Sequence, residues 1–166
     1  MYLGIDPGKN GLALTVLNSE GLYFQSSLFQ LPKKPLANVQ AWLPQVRAWL
    51  GPRSYSVAVE QMLYRPQRAS AKGSSEIAAI LELQAIGGLV AGVAGGVIRY
   101  GAPEVCKGGS IPKHIAHARL LEGLTPEEID ELTRDCSTLP GRKPPLERAL
   151  AHNLLDSCLI AKWGCK

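Results

Sequence analysis

The sequence predicts one α/β domain on a mixed five-stranded sheet, its first three strands antiparallel and the later ones parallel, with helices on both faces. Three features carry this. Three short apolar runs open the chain, and the turn between the second and third is short enough for a hairpin. Two further runs follow, each after a helical pattern long enough for a parallel crossover. A length of 166 residues, 46% hydrophobic and 19% charged, suits a single core.

Tyr2–Ile5 is an apolar run closed by Asp6-Pro7-Gly8, a strand running into a turn. Leu12–Leu17 is the second strand, and Asn18-Ser19-Glu20-Gly21 is the turn that leads to the third, Leu22–Leu31. Leu36, Val39, Leu43, Val46 and Leu50 recur at helical spacing, and Trp42 and Trp49 widen that apolar face. Pro44 inside this helix is expected to bend or split it. Tyr55–Val59 is a compact strand that delivers Glu60 at its end. Ser74 or Ser75 caps a helix from Glu76 to about Val93. Gly87, Gly88, Ala91, Gly92 and Ala94 crowd its second half, which implies close approach of another helix or the sheet despite a cost in helix propensity. Val97–Tyr100 is the fifth strand. Thr125-Pro126-Glu127-Glu128 is a capping box with proline at the first helical position. Leu146 to about Trp163 forms the last helix, after a loop over Gly141–Pro145.

The net charge of +4 hides its distribution. Residues 120–135 hold six acids against one base, so the rest of the chain carries +9. A mostly cationic body fits a polyanionic partner. The apolar stretch Ile77–Ile98 is interrupted by Glu82, Gln84 and five glycines, and reads as a buried helix entering a strand; no membrane partner is expected. Met1 leads straight into a strand pattern without a secretory signal, which points to the cytoplasm. Cys106, Cys136, Cys158 and Cys165 form no Cys-x-x-Cys pair and no zinc-like spacing with the three histidines, which favours reduced thiols.

Three acids fall where such a sheet would bring them together. Asp6 ends the first strand and Glu60 the fourth; if these strands are parallel neighbours, the two side chains emerge together at the carboxyl ends, where open α/β sheets place sites. Asp156 sits on the last helix among Leu154, Leu155, Leu159 and Ile160, where an ionised carboxylate needs a partner or a cation. Like charges so gathered call for a hard, oxygen-ligated ion, Mg²⁺, with Mn²⁺ able to substitute. Two ions about 3.5–4 Å apart would orient water and stabilise a leaving oxygen in phosphodiester hydrolysis. Taken singly, each acid has a plainer reading: a turn residue, a partner for an arginine, a helix-surface charge.

Gly4-Ile5-Asp6-Pro7-Gly8, Val57-Ala58-Val59-Glu60-Gln61 and His152-Asn153-Leu154-Leu155-Asp156-Ser157 resemble, in order, the three acidic motifs of RuvC-type Holliday junction resolvases of the RNase H-like superfamily. The short chain is similar to phage-encoded members. The resemblance implies an RNase H-like sheet with Asp6, Glu60 and Asp156 as metal ligands, Glu60 bridging two ions. The family's further ligand, Asp or His, stands one turn before the last aspartate. Here Asn153 is three positions before Asp156 and His152 four, and both offsets share its helix face. Asn153 offers an uncharged carbonyl oxygen; His152 offers a ligand or a proton acceptor for the attacking water.

By the same resemblance Lys107 and Lys113 lie near two functional lysines that hold the scissile phosphate or stabilise developing charge; the alternative is two solvated loop lysines. The loop after Glu60, several residues longer than the family's, would contact the junction. Met62, Leu63 and Tyr64 would wedge or stack on bases, and Arg65, Arg68 and Lys72 would bind phosphates; incidental surface charge is the alternative. The helix segment Gly87–Gly96 corresponds to the family's dimer-forming helix, although packing within one chain accounts for it nearly as well. The implied enzyme is a Mg²⁺-dependent homodimer that resolves four-way DNA junctions by paired nicks, in the host-cell cytoplasm if phage-encoded. Two alternatives stand beside it: a broader branched-DNA or RNA nuclease of the same fold, and a junction-binding protein whose catalysis Asn153 weakens.

Overall fold

The computed structural model describes residues 1–8, 11–61, 73–102, 111–133 and 144–166. Apolar residues at every second position build strands β1 (Tyr2–Pro7) and β2 (Gly11–Leu17), and β3 (Tyr23–Gln30) pairs along β2 with a looser pattern. The β2–β3 turn closes as its residues predict: the Asn18 side-chain oxygen accepts from the Glu20 and Leu22 N–H groups (2.9 and 3.0 Å), and Gly21 takes φ 77°. Then come α1 (Val39–Leu50), β4 (Ser56–Glu60), α2 (Gly73–Ala94), β5 (Ile98–Gly101), α3 (Lys113–Leu121), α4 (Pro126–Thr133) and α5 (Pro144–Gly164).

The sheet order is β3-β2-β1-β4-β5, antiparallel across β3-β2-β1 and parallel across β1-β4-β5. This is the RNase H-like topology. One face, with Leu3, Ile5, Leu12, Leu14, Val16, Val57 and Val59, packs on α1 and α2. The other, with Ala13, Leu17 and Ala58, packs on α3, α4 and α5.

α5 lies close on the second face. A Cβ placed on Gly4 would stand 2.0 Å from the Ser157 carbonyl oxygen, and one on Gly164 would stand 2.7 Å from the Ala58 Cβ. The Thr15 and Ser157 hydroxyls share a buried hydrogen bond of 2.7 Å, and Ser157 also donates to the Leu154 carbonyl (2.8 Å). The early described part of α5 therefore lies at the carboxyl end of β1.

Three expectations need correction. Of the two effects expected of Pro44, a bend or a split, the split does not occur: α1 runs unbroken from Val39 to Leu50. Pro44 and Gln40, whose carbonyl it cannot serve, are both exposed, and the Gln45 amide donates to the Ala41 carbonyl (2.8 Å) beside it. α3 is an additional helix, without a side-chain cap at its start.

α2 is mostly apolar without a distinct polar face, broken only by Glu82 and Gln84 within Ile77–Ala94, yet only 28% of that stretch is buried, so it is not the buried helix expected. By length and composition alone that stretch is long and apolar enough to cross a membrane. Its inner side packs through Ile86, Val90, Ala91 and Ala94, while Leu81 is 63% exposed. Among Gly87, Gly88 and Gly92, Gly87 is tightly enclosed: a Cβ there would stand 2.9 Å from a Val59 methyl, whereas one on Gly92 would meet nothing within 4 Å.

The capping box forms: the Thr125 N–H donates to Glu128 Oε2 (2.7 Å), and the Glu128 N–H to Thr125 Oγ1 (3.3 Å).

Candidate active site

Parallel pairing runs from Tyr2–Ser56 to Ile5–Val59, so Asp6 and Glu60 occupy the next position of two adjacent strands. Side chains alternate across a strand, and Gly4 and Ala58 both abut α5. Asp6 and Glu60 therefore point to the α5 face, from strands about 4.8 Å apart. The end of β4 is fixed from two sides. The Gln61 N–H donates to the Gly101 carbonyl (2.7 Å), and the Gln84 amide of α2 donates to the Glu60 carbonyl (3.2 Å).

Asp156 comes to the same face from α5, one residue before the Ser157 that touches Gly4 and Thr15. All three carboxylates are buried: Asp6 is 5% exposed, Glu60 4% and Asp156 1%. Burying three acids on one face of a small domain is costly unless charge is compensated. For Asp156 a partner is His117 of α3, whose Nε2 lies 2.8 Å from Oδ1, with His117 itself buried.

Asn153 is half-buried near the β1–β2 turn, with its Nδ2 3.4 Å from where a Cβ on Gly8 would stand. That turn is held by the Gly8 N–H donating to the Gly11 carbonyl (2.8 Å). Asn153 thus lies at the same end of the sheet as Asp6. His152 and Lys113 have their helix positions described, on α5 and α3, and nothing more. Lys107, Met62, Leu63, Tyr64, Arg65, Arg68 and Lys72 lie outside the described residues, as do Cys106 and Cys136.

Among the described residues, no three or more His, Cys, Asp or Glu side chains are grouped closely enough to hold one metal ion. The fold gathers two carboxylates at neighbouring strand ends and a third, tied to a histidine, on the helix above. Such a donor set fits Mg²⁺ chemically, because that ion keeps several waters and takes one or two protein carboxylates together with substrate phosphate oxygens.

His117 is the residue that sequence reading missed. Its available signal was its place beside Ala116 and one turn before Leu120, both core positions of α3. No protein-family model matches this chain, and no curated protein matches it.

Proposed function

We propose that this protein is a structure-selective endonuclease that resolves four-way DNA junctions by metal-assisted phosphodiester hydrolysis. The observation that supports it most is the meeting of Asp6 and Glu60 in register on adjacent parallel strands of an RNase H-like sheet, with Asp156 buried on the helix that covers that face. In this reading Asp6 and Glu60 hold Mg²⁺, with Asp156 and the Asn153 side-chain oxygen on the helix side. Bound there, two such ions lower the pKa of a water and neutralise charge on the leaving oxygen. The protein's own contribution is orientation. Strand pairing fixes Asp6 and Glu60, the Thr15–Ser157 bond seats α5, and Lys107 and Lys113 hold the phosphate. The Met62–Lys72 segment, which follows Glu60 and Gln61, meets the branch point, and the cationic body attracts the backbone.

The working unit in this proposal is a homodimer, two-fold symmetric like the junction. Its support is the uncovered side of α2. Ile77 and Leu81 are exposed there, and a groove of about 650 Å³ lined by Leu36, Ala78, Ala79, Leu81 and Glu82 runs beside them. Near Gly88, Tyr100 of the edge strand β5 is exposed too. An apolar surface of this kind marks an interaction site.

The test is cleavage of a four-way junction compared with flap, duplex and RNA substrates in Mg²⁺ and in Mn²⁺. Symmetric paired nicks with sealable ends are expected. Asp6→Asn and Glu60→Gln should each slow cleavage at least about 100-fold while leaving junction binding intact. Tight binding without cleavage in either metal refutes the enzyme and favours the junction-binding reading that Asn153 raises. Equal cleavage of flaps or RNA favours the broader nuclease.

A further inference from the structure

We infer that His117 is a positioning residue for this carboxylate site: from α3 it fixes the orientation of the Asp156 carboxylate on the helix that covers the face carrying Asp6 and Glu60. The inference rests on the nuclease reading above. An ionised carboxylate only accepts hydrogen bonds, so the imidazole Nε2 carries the hydrogen in its 2.8 Å contact with Asp156 Oδ1. Both groups are buried, His117 at 8% and Asp156 at 1% exposure, so water does not compete for the bond.

The backbone beneath Asp156 is already fixed. Ser157 is bonded to Thr15 and to the Leu154 carbonyl, and Gly4 admits the helix onto β1. The bond to the histidine restricts the side-chain torsions of Asp156. Holding one carboxylate oxygen also decides which edge of the group is presented to a cation.

Stability alone is a poor reason for this pair. A buried ion pair usually gains little over well-packed apolar residues, and α3 already docks through Ala116 and Leu120. What an apolar substitute cannot do is orient a carboxylate. Partners that orient a ligand in this way typically govern metal affinity by about 10–100-fold.

Two variants of similar size separate orientation from packing: His117→Gln keeps an N–H donor, and His117→Met has none. Each is compared with the wild type for Mn²⁺ affinity of the metal-free protein without DNA, followed by EPR. Thermal midpoint, and kcat and KM on a four-way junction, are measured beside it. His117→Met should bind Mn²⁺ at least about tenfold more weakly and lose kcat in parallel, with KM for the junction within about twofold. His117→Gln should recover most of both. Should His117→Met not fold, His117→Asn, whose amide is too short to reach, takes its place.

Wild-type Mn²⁺ affinity and kcat in the donor-less variant overturn the inference. So does a His117→Gln protein that keeps its thermal midpoint yet performs no better than His117→Met. A wild type that neither binds Mn²⁺ nor cuts any substrate overturns the nuclease reading itself and the inference with it. A wild type that does both, while the variants match it, overturns only the role of His117.

Discussion

Replacing Gly4 with alanine tests the link between helix docking and the carboxylate site. A Cβ at this position would stand 2.0 Å from the Ser157 carbonyl oxygen, 2.5 Å from the Ala161 nitrogen and 2.8 Å from the Ala161 Cβ. A tolerable carbon–oxygen approach is about 3.3 Å, so α5 must withdraw from β1 by roughly 1.3 Å. Two of the three obstructing atoms are backbone, so no rotamer change relieves the contact. Overpacking of this kind costs about 1–3 kcal/mol, and a backbone obstruction belongs at the upper end, near 3 kcal/mol. In a chain of this size that lowers the thermal midpoint by about 6–12 °C.

The displacement also reaches the site, because the residue struck is the neighbour of Asp156. A misplacement of about 1 Å can cost on the order of 100-fold in rate, so Gly4→Ala should cleave about 100-fold more slowly even where it is fully folded. Urea titration gives the stability, and single-turnover cleavage at 25 °C gives the rate. Gly164→Ala, against the Ala58 Cβ at 2.7 Å, and Gly87→Ala, against a Val59 methyl at 2.9 Å that can rotate, should cost progressively less. A Gly4→Ala protein with the wild-type urea midpoint, or one less damaged than Gly87→Ala, refutes the reasoning.

Burial pushes the Cys158 thiol up to about 12, with the Glu128 charge adding to the rise and Lys162 opposing it. In the unfolded chain this thiol ionises near its ordinary value of about 8.5–9. Between there and 12 the unfolded state binds fewer protons, so stability falls as pH rises, by up to about 1.4 kcal/mol per pH unit. The same burial should leave Cys158 unalkylated at pH 8 until denaturant is added, whereas the half-buried Cys165 reacts sooner; rapid native-state labelling of Cys158, read by peptide mass, refutes this. Leu81→Arg should convert a species of twice the 17.8 kDa chain mass into one of the single mass by light scattering, with its fold intact by circular dichroism. A wild type that is monomeric at tens of micromolar, or a variant that stays dimeric, removes α2 as the dimer surface.

The five strands were legible because they rest on local rules, apolar runs and a turn with Asn18 and Gly21; the Asp6–Glu60 juxtaposition followed only on the condition that β1 and β4 pair in parallel, which the sheet meets. Whether Pro44 would split α1 was not legible, because its effect depends on which side of the helix meets water, a tertiary fact. α3 went unseen for a related reason. Nine residues without a side-chain cap give little periodic signal, and a histidine between core positions looks like a surface histidine until α5 is known to cover it.

The acidic segment is where sequence and fold together say more than either alone. Read along the chain it would repel a polyanion. In the fold its helix α4 docks at the β3 side, where Glu131 accepts from the Ser26 N–H at 3.4 Å. Glu60 stands three strands away in the order β3-β2-β1-β4, a separation of about 14 Å. That exceeds the Debye length of about 8 Å at physiological ionic strength, so across solvent the exposed α4 charges are largely screened from a phosphate arriving over Glu60. A phosphate backbone arriving over β1 and β4 would therefore meet the cationic body more than the acidic helix. Neutralising Glu127 and Glu128, both near the exposed start of α4, should then change junction affinity by less than about twofold at 150 mM salt. A tightening of tenfold or more would mean that the nucleic acid crosses the β3 side, and that the path over β1 and β4 is wrong.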